Sequence, residues 1–153
     1  MQAKHVLIFG LIGYLALGTL AAYFYQERTI FLDSSFILFS IASTGEFAVQ
    51  ANRFGSALTQ FFPWLGVNLH LPIRAVMILY SVGIVLYYFL CFYAAFKWLK
   101  NSKLALSILL INTFMVSYTF WWMQIEFAQG IALSVVFLAF MTRERQWQDY
   151  TAV

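Results

Sequence analysis

Apolar positions come in long unbroken runs along this chain, and the polar positions are pushed to the edges of those runs. Val6 to Tyr25 carries no charge, and neither does Ala75 to Phe96. A helix rises about 1.5 Å per residue, so about 20 apolar residues cross the roughly 30 Å of bilayer hydrocarbon. Each run predicts one span. Leu104 to Thr142 is longer and holds a single charge, Glu126. One helix of that length would extend about 58 Å, too far for one crossing. Two short spans of about 17 residues, over 104–120 and 127–142, fit instead. The turn between them falls in "WWMQIEFAQG", Trp121 to Gly130, where the indoles suit headgroup level. The first run exceeds the 7–15 residues of a signal h-region and lacks a small-x-small cleavage site, so it reads as an uncleaved span.

Between the first two spans lies residues 26–74, too long for a structureless loop. "DSSFILFSIAST", Asp33 to Thr44, predicts a short apolar helix stopped by Gly45, with Asp33 in the N-cap position. From Glu46 to Leu65 the pattern turns amphipathic. Phe47, Ala51, Phe54, Leu58, Phe61, Phe62 and Leu65 share one stripe, opposite Glu46, Gln50, Arg53, Ser56 and Gln60. This predicts an interfacial helix with its Phe side in the acyl boundary and its polar side facing water. Gly55 is placed to bend it and Pro63 to end or kink it. The predicted class is all-α: a polytopic membrane protein forming one domain over 1–153, with four transmembrane helices (6–25, 75–96, 104–120, 127–142) and interfacial helices in a long first extracytoplasmic loop.

Composition agrees with this. The chain is 63% apolar and only 10% charged, where soluble domains run about 45–50% and about 25%. A net charge of +3 with no basic tract gives nucleic acid nothing to bind. Cys91 is the one cysteine, so no disulfide or thiolate metal site forms within a chain, and it reads as a packed thiol. Lys4, Lys97, Lys100, Lys103, Arg143 and Arg145 fall on the side of the termini, whereas Arg28, Arg53 and Arg74 fall on the other. That bias places both termini in the cytoplasm. Glu27, Asp33, Glu46 and Glu126 gather on the outer face. Acids have little influence on topology, so their grouping points to chemistry.

Each candidate has a plain reading and a chemical one. Asp33 is a helix cap or a general base or metal ligand, and one carboxylate has oxygens enough for both. Gln124 and Glu126 are turn residues, or oxygen donors for a hard cation such as Mg²⁺ or Mn²⁺ shared with Asp33. Arg28 and Arg53 suit the grip of a phosphate. For Arg53 the plain alternative is pairing with Glu46 or Gln50 along the same face. His5 and His70 read as flank and loop residues, and Asn112 and Ser117 as interhelical glue.

This order of parts resembles the N-terminal module of the GT-C superfamily, integral membrane glycosyltransferases that use polyprenyl-phosphate-linked sugars. The likeness is carried by Asp33 in "TIFLDSSF", by "RFGSALTQFFP" and by "WMQIEFAQGIALSVVFLAF". The resemblance implies that Asp33 is the catalytic carboxylate and that Glu126 belongs to a second acidic motif. In that motif Gln124 stands where the family has an acid. Arg28, Arg53 and Gln124 then contact the substrate, a lipid-phosphate sugar donor, and Asp33 with Glu126 are the metal ligands if Mg²⁺ or Mn²⁺ is used. Family enzymes have eight or more spans, so the resemblance also implies a companion membrane chain or further C-terminal spans. The expected home is an integral, multi-pass position in a bacterial inner membrane, among membrane lipid. A non-enzymatic assembly subunit or an inactive remnant of the same fold is the competing reading. A transporter subunit is less favoured, because no span carries an ionisable residue at its middle.

Overall fold

The computed structural model describes residues 3–49, 54–123 and 126–143, and among these it contains helices and no strand. Helix α1 spans Ala3–Tyr23 and α2 spans Tyr25–Ile30. α3 is Asp33–Thr44, the residues that the apolar pattern marks. A 3₁₀ turn, Phe54–Ser56, leads into α4, Ala57–Asn68. α5, Ile73–Tyr93, continues as a wider π turn through Trp98. α6 is Ser102–Phe114, followed by a second π turn at Ser117–Trp121, and α7 is Glu126–Met141.

Two helices, Ala3–Tyr23 and Ile73–Trp98, are long and apolar enough to cross a membrane. α6 and α7 are shorter, at 13 and 16 residues, or about 20 and 24 Å. The predicted helix over 104–120 is not continuous, because α6 stops at Phe114 and Met115 leaves helical geometry with ψ at 37°. Thr119 repairs the break: its hydroxyl donates to the carbonyls of Asn112 and Met115, at 3.1 Å each. The Asn112 carbonyl thereby gains a donor across the break, while the Met115 carbonyl also accepts from Thr119 N at 2.9 Å.

α5 is the central post. α1 lies antiparallel to it. Tyr14 meets Phe89 and Phe92 with ring centroids 5.6 Å apart in each case, and a side chain at Gly10 would run into the Phe92 ring. α6 returns along the same pair, joined by Asn112 Nδ2 donating to the Tyr14 hydroxyl at 3.1 Å. α7 closes the bundle through the small buried faces of Ala128, Ala132 and Ala139. Small residues let helix backbones approach where lipid offers no hydrophobic drive for association.

The segment 46–65 departs from expectation. Residues 46–49 are not helical, and Gln50, Ala51 and Arg53 lie outside the described residues. The helix begins at Ala57 and runs through Pro63 to Asn68. It packs down the side of α5, antiparallel to it: Phe62 lies against Gly83, and Gly66 faces Val76. Gly83 is about 15 Å along the axis from Ile73. The stripe predicted to face water is buried at Ser56 and Gln60, while Leu58 and Phe61 face outward. The physical reason is that the amide of Gln60 is fully used inside. Its Oε1 accepts from Ala48 N at 2.8 Å, and its Nε2 donates to Ala48 O at 3.2 Å and Ser56 Oγ at 3.1 Å. A side-chain amide that replaces a missing turn of backbone pairing is stable indoors.

Because α7 is short, α4 completes the wall beside α5. The N-terminal ends of α4 and α7 meet near Tyr87, whose hydroxyl donates to Gln129 O at 3.3 Å, while Thr59 Oγ1 donates to Gln129 Oε1 at 3.4 Å. The contact of α4 with α5 depends on Gly83 having no side chain. Gly83→Ala must push against the base of Phe62, and overpacking of this kind costs about 1–3 kcal/mol. Gly130→Ala, a site with no neighbour within 4 Å, serves as control. Thermal unfolding in detergent should show a lower midpoint for the first and no loss for the second.

Candidate functional site

The segment after α1 is drawn onto the bundle by a single cation. Arg28 is fully buried. Its Nε donates to Phe120 O at 2.9 Å, and its Nη1 donates to both the carbonyl and the hydroxyl of Ser81, at 2.7 Å each. The Ser81 hydroxyl passes its own proton to Ala21 O at 2.7 Å. The guanidinium lies over the Phe120 ring, with Cζ 4.1 Å from its centroid. One side chain thus joins α1, α2, α5 and the π turn after α6. Hydrogen bonds to a charged group contribute about 1.5–3 kcal/mol each, and a desolvated cation–π contact about 2. Burial pulls the guanidinium down to about 9, which leaves it charged at neutral pH. Among the described residues Nη2 has no hydrogen-bond partner.

Aromatic rings brace the same junction. Phe24 meets Trp121 edge-on with centroids 5.4 Å apart, and Phe31 meets Trp122 at 6.3 Å. α2 therefore lies across the turn that leads from α6 to α7. Asp33 follows Phe31 by two residues, and Glu126 opens α7 four residues after Trp122. α2 and the backbone at Phe120–Trp122 are thus packed together, although they are far apart in sequence.

Asp33 does not cap α3 as the pattern predicts. It is the first helical residue, the cap position belongs to Leu32, and no side chain makes a cap bond. Asp33 is exposed. A carboxylate in the first turn is still favoured by the helix dipole. Leu32 holds φ 42° and ψ −123°, a conformation suited to glycine. Strain of this kind costs about 1–3 kcal/mol and gathers at functional positions. At the other end, Gly45 takes φ 72° and its N–H closes the helix on Ile41 O at 2.8 Å, a left-handed cap that glycine adopts freely.

Glu126 is half-buried in the first turn of α7. Arg53 and Gln124 lie outside the described residues. Among the described residues, no three His, Cys, Asp or Glu side chains come together as a metal-binding group. Asp33 and Glu126 are not part of any such cluster.

Several polar residues in the interior were not singled out from the sequence: Ser81, Thr59 and Gln129, all buried. A signal existed for two of them. Gln129 interrupts an apolar run in "FAQGIAL", and Ser81 does so in "ILYSVGIV". A polar group in a span-like run needs an interior partner. Ser34 is a further case, buried with no hydrogen-bond partner for its hydroxyl among the described residues.

Two substitutions test this junction. Arg28→Met strands the Phe120 and Ser81 carbonyls and should lower unfolding stability by about 2–4 kcal/mol. Leu32→Gly relieves the strained backbone and should raise it by about 1 kcal/mol. Denaturant titration in detergent reads both, and a stable Arg28→Met variant would show that the junction does not hold the outer segment. No family model, curated protein or solved structure matches this chain.

Proposed function

We propose that the protein crosses the membrane four times and takes part in glycosyl transfer on the outer face, in the manner of a GT-C module. The donor is a sugar carried on polyprenyl phosphate. The observation that supports this most is the packing of α2 across Phe120–Trp122, held by Arg28. In this reading it gathers the segments of Asp33 and Glu126 on one side of the bundle. The exposed Asp33 carboxylate, next to the strained Leu32, is free of hydrogen bonds to the described residues and available as a base.

In this reading an acceptor hydroxyl attacks the anomeric carbon of the donor. The bond from that carbon to the phosphate oxygen breaks as the new glycosidic bond forms. Asp33 takes the hydroxyl proton. Glu126 and Gln124 orient the acceptor. The departing lipid phosphate carries negative charge and needs cations nearby; Arg53 is the candidate for that role, because Arg28 is fully buried and committed to Ser81 and Phe120. Oxygen donors of the type found at Asp33, Gln124 and Glu126 suit Mg²⁺ or Mn²⁺, and such an ion would add charge stabilisation at the phosphate. A companion membrane chain or further spans would complete the lipid site.

A second reading is favoured by one observation: Arg28 spends most of its donors on packing. A chain that uses its best cation to hold itself together is also what a non-enzymatic assembly subunit would look like.

The test needs membranes that contain the chain together with any companion, and a labelled polyprenyl-phosphate sugar. Asp33→Asn should abolish transfer, and Glu126→Gln should reduce it by about 10²–10⁴-fold, the span of a general acid–base contribution. Unchanged transfer in both variants removes the catalytic assignment. Topology is read independently in a Cys91→Ser background, with Asp33→Cys and Glu126→Cys probed by an impermeant maleimide. Both should label from the outer side, and labelling from opposite sides overturns the four-span arrangement.

A further inference from the structure

α1, α5 and α6 do not close completely on one another. Tyr14 of α1, Val85 and Tyr88 of α5, Asn112 of α6 and Thr119 of the second π turn line a cavity of about 10 Å³. It lies beside the break in α6, where the Thr119 hydroxyl spends its one proton on the carbonyls of Asn112 and Met115. Holding a water takes about 10–15 Å³ of room for its centre. The space therefore admits one molecule and not two.

The polar groups of the lining have bonds left to make. Asn112 uses both protons of its amide, donating from Nδ2 to the Tyr14 hydroxyl at 3.1 Å and to Ile108 O at 2.9 Å. Its Oδ1 receives no donor from the described residues, and the proton of Tyr14 finds no acceptor among them. The Tyr88 hydroxyl makes no hydrogen bond to them at all. Tyr14, Tyr88 and Asn112 are all buried, and unmade bonds are costly in an interior. One water meets every need. It accepts from the two tyrosines and donates to Asn112 Oδ1 and Thr119 Oγ1. Buried waters make about three such bonds, and up to about four. Other occupants fit worse. The lining carries no charged side chain, so a metal cation would sit there uncompensated. An alkyl group would leave the same polar atoms unpaired.

We infer that this cavity is a binding site for a single structural water, which joins α1, α5 and α6 at the break in α6. Asn112 and Tyr14 connect α6 to α1 directly, and the water brings Tyr88 of α5 into the same network. The inference is independent of the glycosyl-transfer reading, because it uses none of the outer acids and no substrate. Val85 makes it testable, since a longer side chain there extends one wall of the cavity. Val82 lines only a separate apolar groove on the outside of α1 and α5, so it provides the control.

The full chain in nanodiscs is exposed to a short X-ray pulse, which splits water into hydroxyl radicals that oxidise the side chains beside it. Oxidised residues are located by peptide mass spectrometry. Tyr14 and Tyr88 should be oxidised although both are buried. Tyr80, which is fully buried and does not line the cavity, should stay unmodified. Val85→Ile should displace the water, so that oxidation of Tyr14 and Tyr88 falls to the level of Tyr80. Its thermal midpoint should also fall, because the polar atoms lose their shared partner, whereas filling a dry cavity would raise it. Val82→Ile should leave the oxidation of both tyrosines intact. Unmodified Tyr14 and Tyr88 in the unaltered chain, oxidation of Tyr80 to the same extent, unreduced oxidation in Val85→Ile, or a raised midpoint for that variant each overturns the inference. The first two outcomes are read without any variant, so the test holds even if Val85→Ile does not fold.

Discussion

The architecture depends on one buried cation that has to be satisfied. An arginine taken out of water needs polar partners, and here they come from two distant parts of the chain, Ser81 on α5 and Phe120 in the π turn after α6. Ser81 accepts from Arg28 and donates to Ala21, so α1 and α5 are pinned at the same point that receives α2. Phe120 offers both its carbonyl and its ring. The Phe120 carbonyl lies in the π turn after α6, where the helix hydrogen-bond ladder is disturbed. The irregular backbone between α6 and α7 is thus part of the cation's binding site. Once α2 is fixed, Asp33 at the start of α3 takes its place above the bundle, and the turn toward Glu126 is held beneath the rings of Phe24 and Phe31.

The second organising feature is the amide of Gln129. It receives Thr59 and its backbone receives Tyr87. Two short helices, neither of which matches the length of α5, are joined there into a longer wall. Apolar burial alone gives little direction to helix association among lipid chains, because a lipid tail is as apolar as leucine. Registration comes from small residues and from polar pairs, namely Gly10, Gly66 and Gly83 on one side and Asn112–Tyr14 and Thr59–Gln129 on the other. The exposed apolar surface, including Leu15, Phe114 and Phe127, is what such a bundle presents to hydrocarbon.

The extent of this that can be read from the sequence follows from the range of the forces involved. α1, α3 and the long α5 were legible because an uninterrupted apolar run and a stop at Gly45 are local signals. The turn after Trp122 was legible from the indoles and from the length of the run. The orientation of α4 was not. Its period of 3.6 was correctly visible, but periodicity tells only that two faces differ, and water was the wrong guess for the polar one. Gln60 turns inward because the backbone of Ala48 needs partners, a demand set by a loop and invisible in any helical stripe. Arg28 misleads in the same way. Its residue type speaks for phosphate, yet most of its donors go to carbonyls 53 and 92 residues away. Pro63 lacks an N–H, and the helix nonetheless continues for five residues because its face is packed against α5. The positions of the outer acids on a common side could be argued from topology, but the contact that brings their segments together could not.

The long reach of the Arg28 contacts also sets the order in which the chain matures. Arg28 is made 92 residues before the carbonyl it finally holds. At roughly 5–20 residues per second, synthesis leaves it waiting for about 5–20 s. Thr59 waits in the same way for Gln129, 70 residues downstream. Throughout that interval neither side chain has its final partner, so the contacts that seat α2 and α4 close only after the later helices are made. The segment between α1 and α5 is thus made early and seated late, with its cation still without its final partners when it leaves the ribosome.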